Sequence, residues 1–257
     1  MSMQESIKDG IKKQYAKIAL TGNSGCCCTP DDCKSDVRNS SPSEVERLLG
    51  YRSIELEAIP EASVLGVGCG APINFANLKE GETIVDLGSG AGIDVFIAAN
   101  AVGKKGKVIG IDMTDEMLER ARNNAKENGH TNVEFRKGDI ENKIPVDDRS
   151  IDVVISNCVI NITINKVNTF KEINRILKKD GRIIISDLVT DKEIQIDSVN
   201  TEKWCSCIEG AITKENYIES IKKAGFCKVE ILQNRHYIDG EQVDGRSITS
   251  LTIKAKK

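Results

Sequence analysis

The sequence predicts an α/β fold: a mostly parallel sheet with helices on both faces and an antiparallel strand toward its carboxyl-terminal end. Two observations carry that expectation. From Glu82 onward, short Val- and Ile-rich runs alternate with helical periodicity, the pattern of strands joined by crossover helices. The late segments Cys227–Leu232 and Ser247–Ala255 then read as strands without a helix between them, separated by a turn at Asp239–Gly240.

Each element follows from its own pattern. Ser6–Ala19 carries Ile7, Ile11, Tyr15 and Ile18, one face of a helix. Thr21–Ser41 is polar, holds Cys26, Cys27, Cys28, Cys33 and Pro30, and reads as a loop. Ser43 stands three residues before Glu46, a capping-box signature that opens a short helix through Leu49. Parallel strands are expected at Thr83–Leu87, Lys107–Ile111, Val133–Arg136, Ile151–Ile155 and Arg182–Ser186. Helices are expected at Gly92–Val102, Asp115–Asn128, Val167–Leu177 and Thr213–Lys223. The chain divides into a cysteine-bearing N-terminal segment (1–70), a cofactor-binding core (71–190) and a sheet-completing C-terminal segment (191–257).

Composition narrows the function. A net charge of -3 leaves no basic footprint for nucleic acid. No apolar run approaches the roughly 20 residues of a membrane span, and Met1–Ser6 lacks a signal pattern, so a cytoplasmic enzyme without membrane partners is expected. Nine cysteines are then many, and an odd number. Disulfide frameworks belong to small exported chains, so metal or metalloid binding, or redox chemistry, is the better reading.

Asp86-Leu87-Gly88-Ser89-Gly90-Ala91-Gly92 follows the first strand and opens its helix. Its glycines let backbone amides at a helix N-terminus approach a ligand closely. A dinucleotide fingerprint would need its third glycine at position 93, where Ile93 stands. The acid-x-Gly-x-Gly-x-Gly pattern instead resembles motif I of class I S-adenosylmethionine methyltransferases, which implies a Rossmann-like sheet and that cofactor. Asp112 ends the second strand, where a carboxylate can accept from both ribose hydroxyls, and Met113 follows to pack on adenine. Asp139 ends the third strand and can take the adenine amine; Ile140 and Asn157 complete the expected cofactor contacts.

Three further segments bring thiols: Leu65–Gly70 with Cys69, Ser156–Asn161 with Cys158, and Trp204–Ala211 with Cys205 and Cys207. Cys158 lies just past a strand, where folds of this kind place their ligands. The position after the fourth strand lacks the Pro-Pro-aromatic run of enzymes that methylate base amino groups. Only two histidines exist, His130 in a turn and His236 in a late loop, and both read as surface residues rather than a general base. A soft acceptor with its own lone pair needs no base. Arsenic(III) takes three thiolates in a pyramid and keeps a lone pair at the apex. Cys69, Cys158 and Cys207 supply three thiols from three segments; burial as packing is the ordinary alternative for each, and is the reading for Cys227.

Leu49-Gly50-Tyr51 through Ile59-Pro60-Glu61, Leu65–Gly70, Asp86–Gly92, Gly110–Thr114, Ser156–Asn161 and Cys207–Ala211 together resemble arsenite methyltransferases, in order over roughly residues 10 to 230. The resemblance implies that Cys158 and Cys207 hold arsenic and that Cys69 is the third ligand or a disulfide-forming partner. It also implies arsenite and methylated arsenicals as substrates, and thioredoxin or glutathione as the reductant. The chain departs in its Cys26–Cys28 triplet, in the extra Cys205, and in ending at Lys257 without the longer tail of some members. A carbon methyltransferase acting on a quinone or sterol, and a non-enzymatic metalloid-binding thiol protein, are the competing expectations.

Overall fold

The computed structural model describes residues 3–22, 42–193, 204, 207–237, 242–243 and 245–257. Cys26, Cys27, Cys28, Cys33, Cys205 and the turn at Asp239–Gly240 lie outside these residues.

Strands β1 (Thr83–Leu87), β2 (Lys107–Asp112), β3 (Val133–Lys137), β4 (Ile151–Asn157) and β5 (Leu177–Thr190) pair in parallel in the order β3-β2-β1-β4-β5. Strand β8 (Arg246–Lys256) joins β5 antiparallel, and β6 (Cys227–His236) and the short β7 (Gln242–Val243) both pair with β8. The expected C-terminal antiparallel strand is thus a set of three. Chain order reverses between β1 and β4, the switch point at which open α/β sheets bind ligands.

Alternation along the strands builds two cores. Val85, Ile109, Val154 and Ile183 face one side with Phe170, Ile173 and Ile176 of α6 (Lys166–Ile176) and Tyr217 and Ile221 of α7 (Lys214–Lys223). Ile84, Val108, Val153 and Ile184 face the other with α4 (Ile93–Val102) and α5 (Asp115–Glu127). Successive side chains on a strand point to opposite faces, so continuous apolar runs mark a sheet covered on both sides. A third cluster, at the carboxyl end of the sheet, unites Ile7, Ile11, Cys69, Cys158, Trp204 and Cys207.

The N-terminal helix α1 (Met3–Thr21) buries Ile7, Ile11 and Ile18, the face its spacing predicts. Arg120 of α5 holds its end by donating from Nη1 to the Ala19 carbonyl at 2.8 Å. Helix α2 (Pro42–Leu49) starts at Pro42, so Ser43 lies within the first turn instead of capping it; proline suits that first helical position. A further short helix, α3 (Ser53–Glu57), carries no apolar repeat that would announce it.

Three expectations are corrected. Helix α6 ends at Ile176 and β5 begins at Leu177, five residues before Arg182, because Leu177 pairs with Ile151 across a register shift in β4. Cys227 is exposed rather than buried, since it opens β6 at the edge of the sheet. His130 is half-buried, its ring 4.7 Å from that of Phe96, rather than solvated in its turn. Among the described residues no helix is long and apolar enough to cross a membrane.

Candidate active site

A cavity of about 120 Å³ opens beyond the carboxyl ends of β1 to β4. Asp86, Gly88, Ser89, Gly90, Asp112, Met113, Asp139, Ile140 and Asn157, all expected to contact cofactor, line it. Gly92 stands outside its wall: with φ of 101° it caps α4, and a Cβ there would come 2.7 Å from the Phe96 ring. Gly88 has a comparable need, since a Cβ would meet Val159 at 2.2 Å.

The glycine loop is tied to β2 through Asp112. Its Oδ2 accepts from the Gly90 amide and its Oδ1 from the Thr114 amide, each at 2.9 Å. The carboxylate is therefore aimed before any ligand arrives, with lone pairs to spare. Asp94, which sequence reasoning missed, also faces the cavity, and Tyr51 donates to its Oδ2 at 2.9 Å. Burial pushes Asp112 up and Asp94 up to about 7, and it raises Asp86 well above the carboxylate range, with the charges of Asp94 and Asp112 adding to the effect. Three acids around one cavity, Asp86 and Asp94 buried and Asp112 half-buried, favour a cationic ligand. Asp94 Oδ1 and Ser89 Oγ, buried without hydrogen-bond partners among the described residues, are ready for its polar groups.

The cavity's outer wall was not anticipated. Helix α1 lays Ile7, Lys8, Ile11 and Tyr15 across it. Lys8 Nζ pairs with Asp139 at 2.7 Å and Glu141 at 3.1 Å, so the carboxylate expected to meet adenine already carries a cation. At the other end the Tyr15 hydroxyl lies 3.8 Å from Cys207 Sγ. Helical spacing could reveal α1, but not the partner on which its apolar face docks.

Cys69, Cys158 and Cys207 come together, and all are buried. Cys158 and Cys207 line the cavity; Cys69 lies behind them with no exposed surface. Asn157 holds the Cys69 loop: its Oδ1 accepts from the Cys69 amide at 3.1 Å, and its Nδ2 donates to the Gly70 carbonyl at 2.7 Å and to Tyr51 at 3.0 Å. The Cys69 thiol points to the Ser186 carbonyl at 3.5 Å. The Cys207 segment is clamped from several sides. Trp204 Nε1 donates to the Ile162 carbonyl at 2.8 Å, Asn161 Nδ2 donates to the Cys207 carbonyl at 2.6 Å, and Gly210 packs where a Cβ would come 2.0 Å from the Asn161 oxygen.

Burial pushes the Cys69 and Cys158 thiols up; for Cys207 the hydrogen bond with Cys158 is the larger cause and burial the second. The ligand-free site therefore holds neutral thiols. Asp187, which directly follows the expected strand Arg182–Ser186 although β5 itself runs on to Thr190, is a second residue sequence reasoning missed; burial lifts it to about 7, against hydrogen bonds from Tyr217 and Asn161. The strand-end rule that singled out Cys158 applies equally to it. His130 and His236 are not in the cavity wall.

A methyltransferase-domain family model matches residues 78–225. The arsenite methyltransferase of Halobacterium salinarum is 38% identical over 98% of this chain and 67% of its own length. That of Aquipseudomonas alcaligenes is 31% identical over 91% of this chain and 64% of its own. The chain thus spans about two thirds of these curated relatives. The crystal structure of an arsenic(III) S-adenosylmethionine methyltransferase from Chlamydomonas reinhardtii superposes with a TM-score of 0.63 at 30% identity, covering 84% of this chain and 74% of that one. With such identity along nearly its whole length, the chain belongs to the arsenite methyltransferase family.

Proposed function

We propose that the chain methylates arsenic(III) held by Cys69, Cys158 and Cys207, with S-adenosylmethionine in the adjoining cavity. The observation that carries this reading is the meeting of three buried thiols, from segments far apart in sequence, two of them in the wall of a cavity that acids also line. When bound, S-adenosylmethionine supplies an electrophilic methyl group on a positive sulfur. Asp86, Asp94 and Asp112 would hold its cationic and hydroxyl groups, with Ser89 and Met113 beside them.

Arsenite reaches the site as a neutral hydroxide. Each thiol that binds arsenic gives its proton to a departing hydroxide, so three thiols release three waters and no buried charge is created. That balance suits thiols held neutral by burial. The arsenic keeps its lone pair, so an As–C bond would form as the methyl's bond to the sulfonium sulfur breaks; the sulfur would leave as a neutral thioether, the positive charge would pass to arsenic, and no side chain has to remove a proton. The attack raises arsenic formally by two electrons, which a thiol reductant such as thioredoxin or glutathione returns. The reading places the enzyme in the cytoplasm, where thiols stay reduced, acting in arsenic detoxification.

The only aromatic side chains in the cavity wall, among the described residues, are Tyr15 and Tyr237, so a flat apolar acceptor such as a quinone finds little support. Incubation with arsenite, S-adenosylmethionine and glutathione, followed by mass spectrometry of the arsenic species, tests the proposal. Methylated arsenic in amounts matching the cofactor consumed is expected; unmodified arsenite with intact cofactor overturns it.

A further inference from the structure

The thiol cluster contains a donor for which arsenic has no use. A carboxylate oxygen of Asp187 and the sulfurs of Cys69 and Cys158 all lie within 4.8 Å of one another, and all three residues are buried. Asp187 Oδ2 accepts from the Tyr217 hydroxyl and the Asn161 amide, while Oδ1 has no hydrogen-bond partner among the described residues. A buried carboxylate oxygen without a donor is costly unless something else approaches it.

Charge separates the ions that could use this donor set. Arsenic(III) is neutralised by three thiolates, and a fourth anionic donor would leave the buried centre negative. A divalent cation with two thiolates and one carboxylate carries a single negative charge. The buried ammonium of Lys166, held by the carbonyls of Asn161 at 3.0 Å and Thr163 at 2.9 Å, interacts with Asp187 and cancels that charge. Size agrees as well. Metal–sulfur bonds of about 2.3 Å and metal–oxygen bonds of about 2.0 Å in a tetrahedron put ligands roughly 3.5–4 Å apart, so from within 4.8 Å the three donors need to close by at most roughly 1.3 Å.

We infer that Cys69, Cys158 and Asp187 form a site for a thiophilic divalent cation of the zinc and cadmium class, whose occupation keeps arsenic(III) off the same two sulfurs. Each of the two coordinating thiols releases its proton to solvent, and water completes the tetrahedron, since a third thiolate from Cys207 would add a charge that Lys166 does not cancel. Cation binding stands on this geometry alone; the exclusion of arsenic rests on the function proposed above.

The test uses the full chain with Cys26, Cys27, Cys28, Cys33, Cys205 and Cys227 changed to Ser. Cadmium chloride is titrated in while the thiolate-to-cadmium absorption is followed. One ion per chain is expected, with Asp187→Asn weakening it about tenfold or more and Cys207→Ser by less than about threefold. No binding step, or equal affinity in Asp187→Asn, overturns the inference. Should that variant misfold, zinc-edge X-ray absorption on its parent chain decides. Two sulfurs at about 2.3 Å with oxygen at about 2.0 Å is expected, and a shell of three or four sulfurs, or of oxygen and nitrogen alone, refutes it. Cadmium should also raise the KM for arsenite without lowering kcat, and a fall in kcat alone overturns the exclusion. Cadmium binding without any arsenic methylation removes the proposed function and leaves the cation site; methylation without cadmium binding does the reverse.

Discussion

Cys207 Sγ points to the backbone carbonyl of Cys158 at 3.4 Å, and both residues hold left-handed backbone, with φ of 65° and 59°. That conformation is uncommon outside glycine and persists only where the surroundings enforce it. Asn161 is one enforcer, reaching the Cys207 carbonyl at 2.6 Å and the Cys158 sulfur at 3.9 Å. The two thiols are thus aimed by the fold before any ligand arrives.

Replacing either cysteine with Ser keeps the shape and substitutes a hard oxygen for a soft sulfur. Methylation of inorganic arsenite should fall by about two orders of magnitude or more, with S-adenosylmethionine affinity within about twofold of the parent. Near-normal turnover of arsenite by Cys158→Ser would remove it from the site. Cys69 lies behind the cavity wall, so Cys69→Ser should still process an already methylated arsenical, which needs one thiolate fewer.

Asp112→Ala removes both a carboxylate of the cavity wall and the brace between β2 and the glycine loop. Cofactor affinity should drop about ten- to hundredfold, the loss of about 1.5–3 kcal/mol of charge-assisted hydrogen bonding. Calorimetric titration measures it, and an unchanged affinity would exclude Asp112 from the cofactor site.

The sheet was readable in the sequence because its strands are short apolar runs set between helices, and Ile84 and Val85 each face a buried layer. The glycine loop and the three thiols were readable because their residue types are chemically unusual at strand ends. Tyr15, Asp94, Asn161 and Asp187 were not. Each is an ordinary residue whose importance comes from a partner far away in the chain, such as Tyr15 meeting Cys207 across 192 residues. Cys227 was misjudged for a related reason: strand pattern does not reveal which strand ends at the sheet edge.

The Tyr15 hydroxyl favours the ionised form of Cys207, opposing the effects of Cys158 and burial. Tyr15→Phe keeps the ring and deletes that interaction. Arsenite turnover should fall about three- to tenfold and its pH profile should move to higher pH, with cofactor affinity preserved. An unmoved profile would mean that Tyr15 only packs.

Asp94 and Asp187 both stand at about 7, against an ordinary 3.8. A carboxyl raised in the folded state binds its proton more tightly there than when unfolded. Its contribution to stability is therefore complete below pH 3.8 and is lost as pH rises through 7. The ligand-free chain should melt at a lower temperature at about pH 8 than at about pH 5, and Asp94→Asn should shrink the difference. A melting temperature that rises over this interval would contradict the assignment.

Cys26, Cys27, Cys28 and Cys33 lie outside the described residues, and adjacent cysteines cannot easily aim three sulfurs at one ion. A variant with all four changed to Ser, supplied with excess thiol, should still form monomethylated arsenic. Loss of that product would give them a part in the first transfer.

Helix α1 makes contact at both ends of the cavity, Lys8 with Asp139 and Glu141 and Tyr15 with Cys207. One stiff rod therefore reports on two binding events. Any ligand that favours the docked helix lightens the ordering cost left for the other, and linkage makes the gain equal in both directions. On the proposed function, cofactor and arsenic are coupled through this helix as well as through their own contact, and the affinity measured for either depends on how much of the other is in the tube.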